Sequence, residues 1–124
     1  MPAMLAAIFL TCTAIDGDTL LCRDAKGRTE HVRLLGIDAP ELPGHCRTGR
    51  ACAPGDPVAS KAALQAAVTG HRVRIERYKL DLYGRTLAFV SWRGQDLSCQ
   101  QLASGNAIYR PEWDRGERIG RCPR

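Results

Sequence analysis

The chain predicts a mainly β fold with two helices: a five-stranded Greek-key barrel of the OB type, with one helix between strands three and four and a short helix after strand five. Two observations carry this. Strand-like segments fill the first third of the sequence, and a well-signalled helix separates them from two more strands. With 124 residues there is chain enough for one hydrophobic core but not two, so residues 1–124 read as a single domain.

The first strand is expected over 5–15, the second over 19–23 and the third over 29–37, the last two joined by a turn at Asp24-Ala25-Lys26-Gly27. The apolar run 4–10 resembles a short signal core. No basic residue precedes it, however, and it leads straight into an acidic hairpin, so it reads as strand. It also falls well short of the ~20 apolar residues of a membrane span. Residues 39–55, with prolines, glycines and two cysteines, form a loop. Asp56-Pro57 then opens a helix as N-cap and first helical residue, its body 58–68 is rich in alanine, and Gly70 suits its end. The segment 71–79 alternates, with Val73 and Ile75 on one face and arginines or Glu76 on the other. A last strand spans 85–92, and a short helix over 96–104 closes at Gly105. Beyond it only Ile108, Tyr109 and Trp113 offer apolar anchors.

The formal net charge is +5, and fifteen of the eighteen basic residues are arginine, an excess that suits a polyanionic partner and bidentate phosphate contacts. A GC-rich genome produces the same bias. Arg72, Arg74, Arg77 and Lys79 read either as a solvated face or as a track for a nucleic-acid backbone. His31 and His71 read as ordinary polar strand positions. Six cysteines in so short a chain point to disulfides and an oxidising compartment, hence to a secreted or periplasmic protein whose export leader is expected to lie outside this chain. If 16–18 form a three-residue hairpin loop, Cys12 faces Cys22 at disulfide range. Cys46 and Cys52 flank a short Arg/Gly-rich loop, and a Cys99–Cys122 bridge would pin the tail. A zinc reading of His45, Cys46 and Cys52 lacks a second close pair of ligands.

Three motifs carry the chemistry. Asp16-Gly17-Asp18-Thr19 is an acidic turn. The run from Val32 to Glu41 is an apolar strand bearing Arg33 and ending in Asp38 and Glu41. Asp81-Leu82-Tyr83-Gly84-Arg85 is a basic turn. Singly, each acid or arginine has a plain reading as a turn residue or an exposed strand charge. Together they supply oxygen ligands for a hard cation, a further carboxylate as base and two guanidinium groups for phosphate.

From about Ala14 to Ala107 these motifs resemble, in order and spacing, the staphylococcal nuclease (thermonuclease) family, and the cysteine-bearing loop is similar to that of its small exported bacterial members. The resemblance implies a five-stranded OB barrel and calcium-dependent hydrolysis of DNA and RNA that leaves 3′-phosphates. By position it implies Asp18 and Asp38 as carboxylate ligands of Ca2+, with the backbone carbonyl of Ala39, which stands where the best-known member has threonine. Glu41 falls on the family's general base, Arg33 and Arg85 on its phosphate-binding arginines, and Tyr83 on an aromatic lining the nucleotide pocket. Asp16 is either a turn residue or a support behind the ligands. Longer members place two tyrosines from a later segment near the nucleotide; here only Tyr109 or Trp113 can substitute. Single-stranded DNA or RNA is the expected partner, with no membrane or protein partner, and a monomer is expected. A catalytically inactive OB-fold nucleic-acid-binding module is the alternative.

Overall fold

The computed structural model describes residues 7–124; the first residues of the expected strand 5–15, and of the apolar run 4–10, lie outside the described residues. In chain order the elements are strands β1 (Ile8–Ala14), β2 (Thr19–Arg23), β3 (Thr29–Leu34) and β4 (Ile37–Asp38), helix α1 (Pro57–Val68), strands β5 (Val73–Leu80), β6 (Thr86–Trp92) and β7 (Gln95–Asp96), helix α2 (Leu97–Ala103), strand β8 (Ile108–Tyr109) and a 3-10 turn, Pro111–Trp113. The principal sheet runs β3-β2-β1-β5-β6-β7, and a parallel β3–β6 pairing closes its five long strands into a barrel. The OB-type architecture expected from the sequence is therefore present.

Period-two alternation fills the barrel. Leu10, Cys12 and Ala14 point inward from β1, Leu20 and Cys22 from β2, Val32 and Leu34 from β3, Val73 and Ile75 from β5, and Ala88 and Val90 from β6. Leu64 and Val68 of α1 and Leu97 of α2 pack against this interior. Burial of each of the larger side chains contributes about 1.5–3 kcal/mol. Asp56 caps α1 by accepting from the Val58 and Ala59 amides, and Asp96 caps α2 by accepting from Cys99.

The third strand stops at Leu34 instead of running to Ile37. Leu35 and Gly36 make a turn, with Gly36 at φ +83°, and a Cβ there would sit 2.8 Å from the Ile119 side chain. The chain then resumes as β4, which pairs with β8. This break aims Asp38 across the end of the barrel, away from the β3 ladder.

All three expected disulfides are present, with Cα separations of 4.0 Å for Cys12–Cys22, 6.2 Å for Cys46–Cys52 and 5.6 Å for Cys99–Cys122. Cys12 and Cys22 are directly opposed in the β1–β2 ladder, the register expected from the hairpin. The Cys46–Cys52 bridge removes both thiols from any zinc site. His71 does not join the β5 ladder; its ring stacks on Trp92 with centroids 3.9 Å apart.

The tail is organised by Asp114, which is buried. Its carboxylate accepts from the Arg115, Ile119 and Gly120 amides and from the Tyr109 hydroxyl. Burial pushes its pKa up, but the hydrogen bonds from Tyr109, Gly120, Ile119 and Arg115 together outweigh that and hold it below the ordinary 3.8. An aspartate with a depressed pKa stabilises the fold fully above its unfolded value, near pH 4, and loses that contribution as pH falls through the lower folded value. Asp114→Asn turns an acceptor into a donor facing these amides. It is expected to cost about 1.5–3 kcal/mol at pH 7, and less below pH 3, read from urea midpoints at both pH values.

Candidate active site

The Asp16–Asp18 turn is held where a glycine alone fits. A Cβ on Gly17 would come within 1.8 Å of Ser60 Oγ and 2.8 Å of Ala39 Cβ, so α1 and the loop after β4 pack directly on the turn backbone. Gln101 of α2 donates to the Gly17 and Ser60 carbonyls at 2.7 and 3.0 Å, tying both helices to it. Within the turn, Asp16 Oδ1 accepts from the Asp18 amide. Asp18 accepts from the Thr19 hydroxyl at 2.9 Å and, across the barrel end, from the Ala39 amide at 2.8 Å. That last bond clamps the two acidic segments together.

Arg33 lies between them. Its Nη1 donates to the Leu34 and Ile37 carbonyls, both at 3.0 Å, bracing the turn between β3 and β4. Its Nη2 lies 3.3 Å from Asp18 Oδ2 and 3.9 Å from Asp38 Oδ1. One nitrogen thus lies within ion-pair distance of both predicted ligands. Arg33 and both aspartates are buried. Burial first, then the Asp18 charge, drive the Asp16 pKa up to about 7.

Arg85 reaches the same cleft by register. In the parallel β3–β6 ladder Arg33 pairs with Leu87, and Arg85 lies two residues before Leu87, on the same face. Accordingly His31, Arg33, Arg85 and Leu87 all line one cleft of about 890 Å³, with Asp16, Asp18 and Glu41. Arg85 Nε donates to Asp81 Oδ2 at 2.6 Å, which fixes the side chain and, among the described residues, leaves its two terminal nitrogens without a carboxylate partner. Tyr83, 62% exposed, stands beside it, its hydroxyl accepting from Arg47 Nη1 at 2.6 Å.

Three site arginines were not singled out from the sequence. Arg47 and Arg50 come from the disulfide-closed loop, and Arg50 donates to Asp38 Oδ1 at 3.2 Å and to Glu41 Oε1 at 2.8 Å. Arg110 donates to Asp38 Oδ2 at 3.1 Å, placed by β8 pairing with β4 and by its amide bond to the Gly36 carbonyl. The signal available was the arginine-rich stretch between Cys46 and Cys52. Of the two aromatics expected to replace the later tyrosines, Trp113 lines the cleft, its ring 5.2 Å from the Arg33 guanidinium. Tyr109 does not line it, because its hydroxyl is engaged by Asp114 in the tail.

The donors present are of the kind a hard divalent cation takes: the carboxylates of Asp18, Asp38 and Glu41, each paired with arginine here, and no thiol. Among the described residues no three His, Cys, Asp or Glu side chains close into a cage. An ion held by Asp18 and Asp38 would therefore complete its six to eight oxygens with backbone, water and substrate.

Fold and rim together define a class of protein: an OB-type barrel with paired acids and arginines at one end. The chain belongs to the staphylococcal nuclease homologue family, whose sequence profile matches residues 31–119. It is 34% identical over 113 residues to the thermonuclease of Staphylococcus hyicus, covering 85% of this chain and 62% of that protein. It is 38% identical over 99 residues to the thermonuclease of Staphylococcus intermedius, covering 77% and 54%. A protein of Coccidioides posadasii named "Probable endonuclease LCL3" is 41% identical over 91 residues, covering 68% and 27%. The chain thus spans less than two thirds of the length of these relatives.

Proposed function

We propose that this protein is a calcium-dependent phosphodiesterase that hydrolyses DNA and RNA, prefers single strands and leaves 3′-phosphates. The observation that carries the reading is the convergence of Asp18 and Asp38 on Arg33 Nη2, with Glu41 and Arg85 on the same cleft. Family membership and the relatives' names support a nuclease. Asp18, Asp38 and the Ala39 carbonyl would hold the calcium ion, which when bound orients the phosphate and neutralises its charge.

Glu41 takes a proton from the attacking water, which adds to phosphorus. The P–O5′ bond breaks, the phosphate stays on the 3′ oxygen, the 5′ oxygen leaves with a proton taken from solvent water, and Glu41 returns its proton to solvent. Arg85, anchored through Nε, offers its terminal nitrogens to the phosphoryl oxygens as their charge grows. Arg33 holds the two acids in place and adds its charge beside them. Splayed bases enter this open cleft more readily than a stacked duplex, and binding weakens with salt. Three disulfides fit an oxidising compartment, and we place the protein outside the cytosol. Among the described residues no helix is long and apolar enough to cross a membrane.

The test is degradation of heat-denatured DNA in calcium with end-group analysis of the products. Fragments ending in 3′-phosphate support the reading; binding without cleavage would make the protein a binding module instead. Arg85→Lys cannot reproduce the planar fork and is expected to lower kcat by about 10²–10³-fold. Near-wild-type turnover in that variant counts against the assigned role.

A further inference from the structure

We propose that the cleft continues into a second subsite, built from Tyr78, Lys79 and Arg115, that holds a nucleotide flanking the cleaved bond of a single strand. The inference rests on the nuclease reading above. It starts from an irregularity in β5: Arg77 pairs with Ala88, yet Lys79 pairs with Leu87, so one extra residue is inserted. Such a bulge re-aims side chains. Here it brings Lys79 opposite Leu87, a cleft-lining residue, and leaves Tyr78 outside the ladder.

Tyr78 is 42% exposed. The Arg115 guanidinium lies 4.1 Å from its ring centroid and the Lys79 ammonium 5.7 Å. Both cations line the cleft. Among the described residues neither has a carboxylate within ion-pair distance, Glu112 included. Nearby Arg74 and Arg118 are paired with Glu76, Arg77 with Glu30 and Arg85 with Asp81. The Arg115 amide is fixed on Asp114 at 2.7 Å, which anchors the residue beside the ring. A part-exposed ring with one arginine over it and a lysine beside it, neither cation compensated, is a combination that binds a base and its phosphate.

The test compares hydrolysis of a dinucleotide, TpT, with that of dodecathymidylate. Tyr78→Ala is expected to raise KM for the long substrate about tenfold, the scale of one lost base stack, and to leave TpT kinetics unchanged. Tyr78→Phe keeps the ring and should behave as wild type. Arg115→Gln should make the salt dependence of log kcat/KM on the long substrate shallower by about 0.7, one phosphate contact. Equal effects of Tyr78→Ala on both substrates, or none on the long one, overturn the subsite while leaving the nuclease reading intact. Failure of the wild-type protein to cleave either substrate overturns both.

Discussion

Glutamine at position 41 is expected to lower turnover by about 10²–10⁴-fold, the usual cost of losing a general base. Glu41 lies on the loop that follows β4 and lines the cleft with Asp16 and Asp18. Its carboxylate is oriented by Arg50 Nη1 at 2.8 Å. Glutamine keeps the size of the side chain and an oxygen that can accept this bond, but it cannot take a proton from water. The residue is no part of the barrel core, so the melting temperature should hold while kcat falls. A loss smaller than about tenfold with the fold intact would leave Glu41 only positioning water, or doing nothing.

Chelation should have an even larger effect on activity and a small one on structure. With EGTA, hydrolysis of denatured DNA is expected to fall to background, because the charge that orients the phosphate is gone. The barrel should remain folded, since its apolar interior and three disulfides need no ion. Calcium at a hundredfold excess over its Kd should stabilise the protein by about 2.7 kcal/mol, and EGTA should reverse this. Undiminished cleavage in EGTA would remove the cation from the reaction.

The barrel was legible in the sequence because alternation, caps and turn residues all agreed with it. Asp56-Pro57 marked the start of α1, and the acidic turn set the register that opposes Cys12 and Cys22. What escaped was non-local. The break at Gly36 depends on Ile119, a residue far along the chain that packs against it, and the apolar run 34–37 hides it. The two-residue strands β4, β7 and β8 are too short for any periodic signal. The motif residues Asp18, Arg33, Asp38, Glu41 and Arg85 do meet in one place, and parallel pairing of β3 with β6 is the reason the two arginines share a face. Arg110 could not be read, because a tail position acquires meaning only once the β4–β8 pairing delivers it to Asp38, and for Arg50 the arginine-rich stretch between the cysteines gave no partner. Tyr109 and Trp113 are four residues apart, yet Tyr109 is drawn into the tail by its β4 pairing and its hydrogen bond to Asp114.

That Asp18 and Asp38 share one hard cation is tested most directly by calorimetric titration of calcium into the wild-type protein and into Asp18→Asn. One ion per chain in the wild type, with affinity lost or severely weakened in the variant, is the expected result. No calcium uptake by the wild type, or unchanged affinity in the variant, would contradict it.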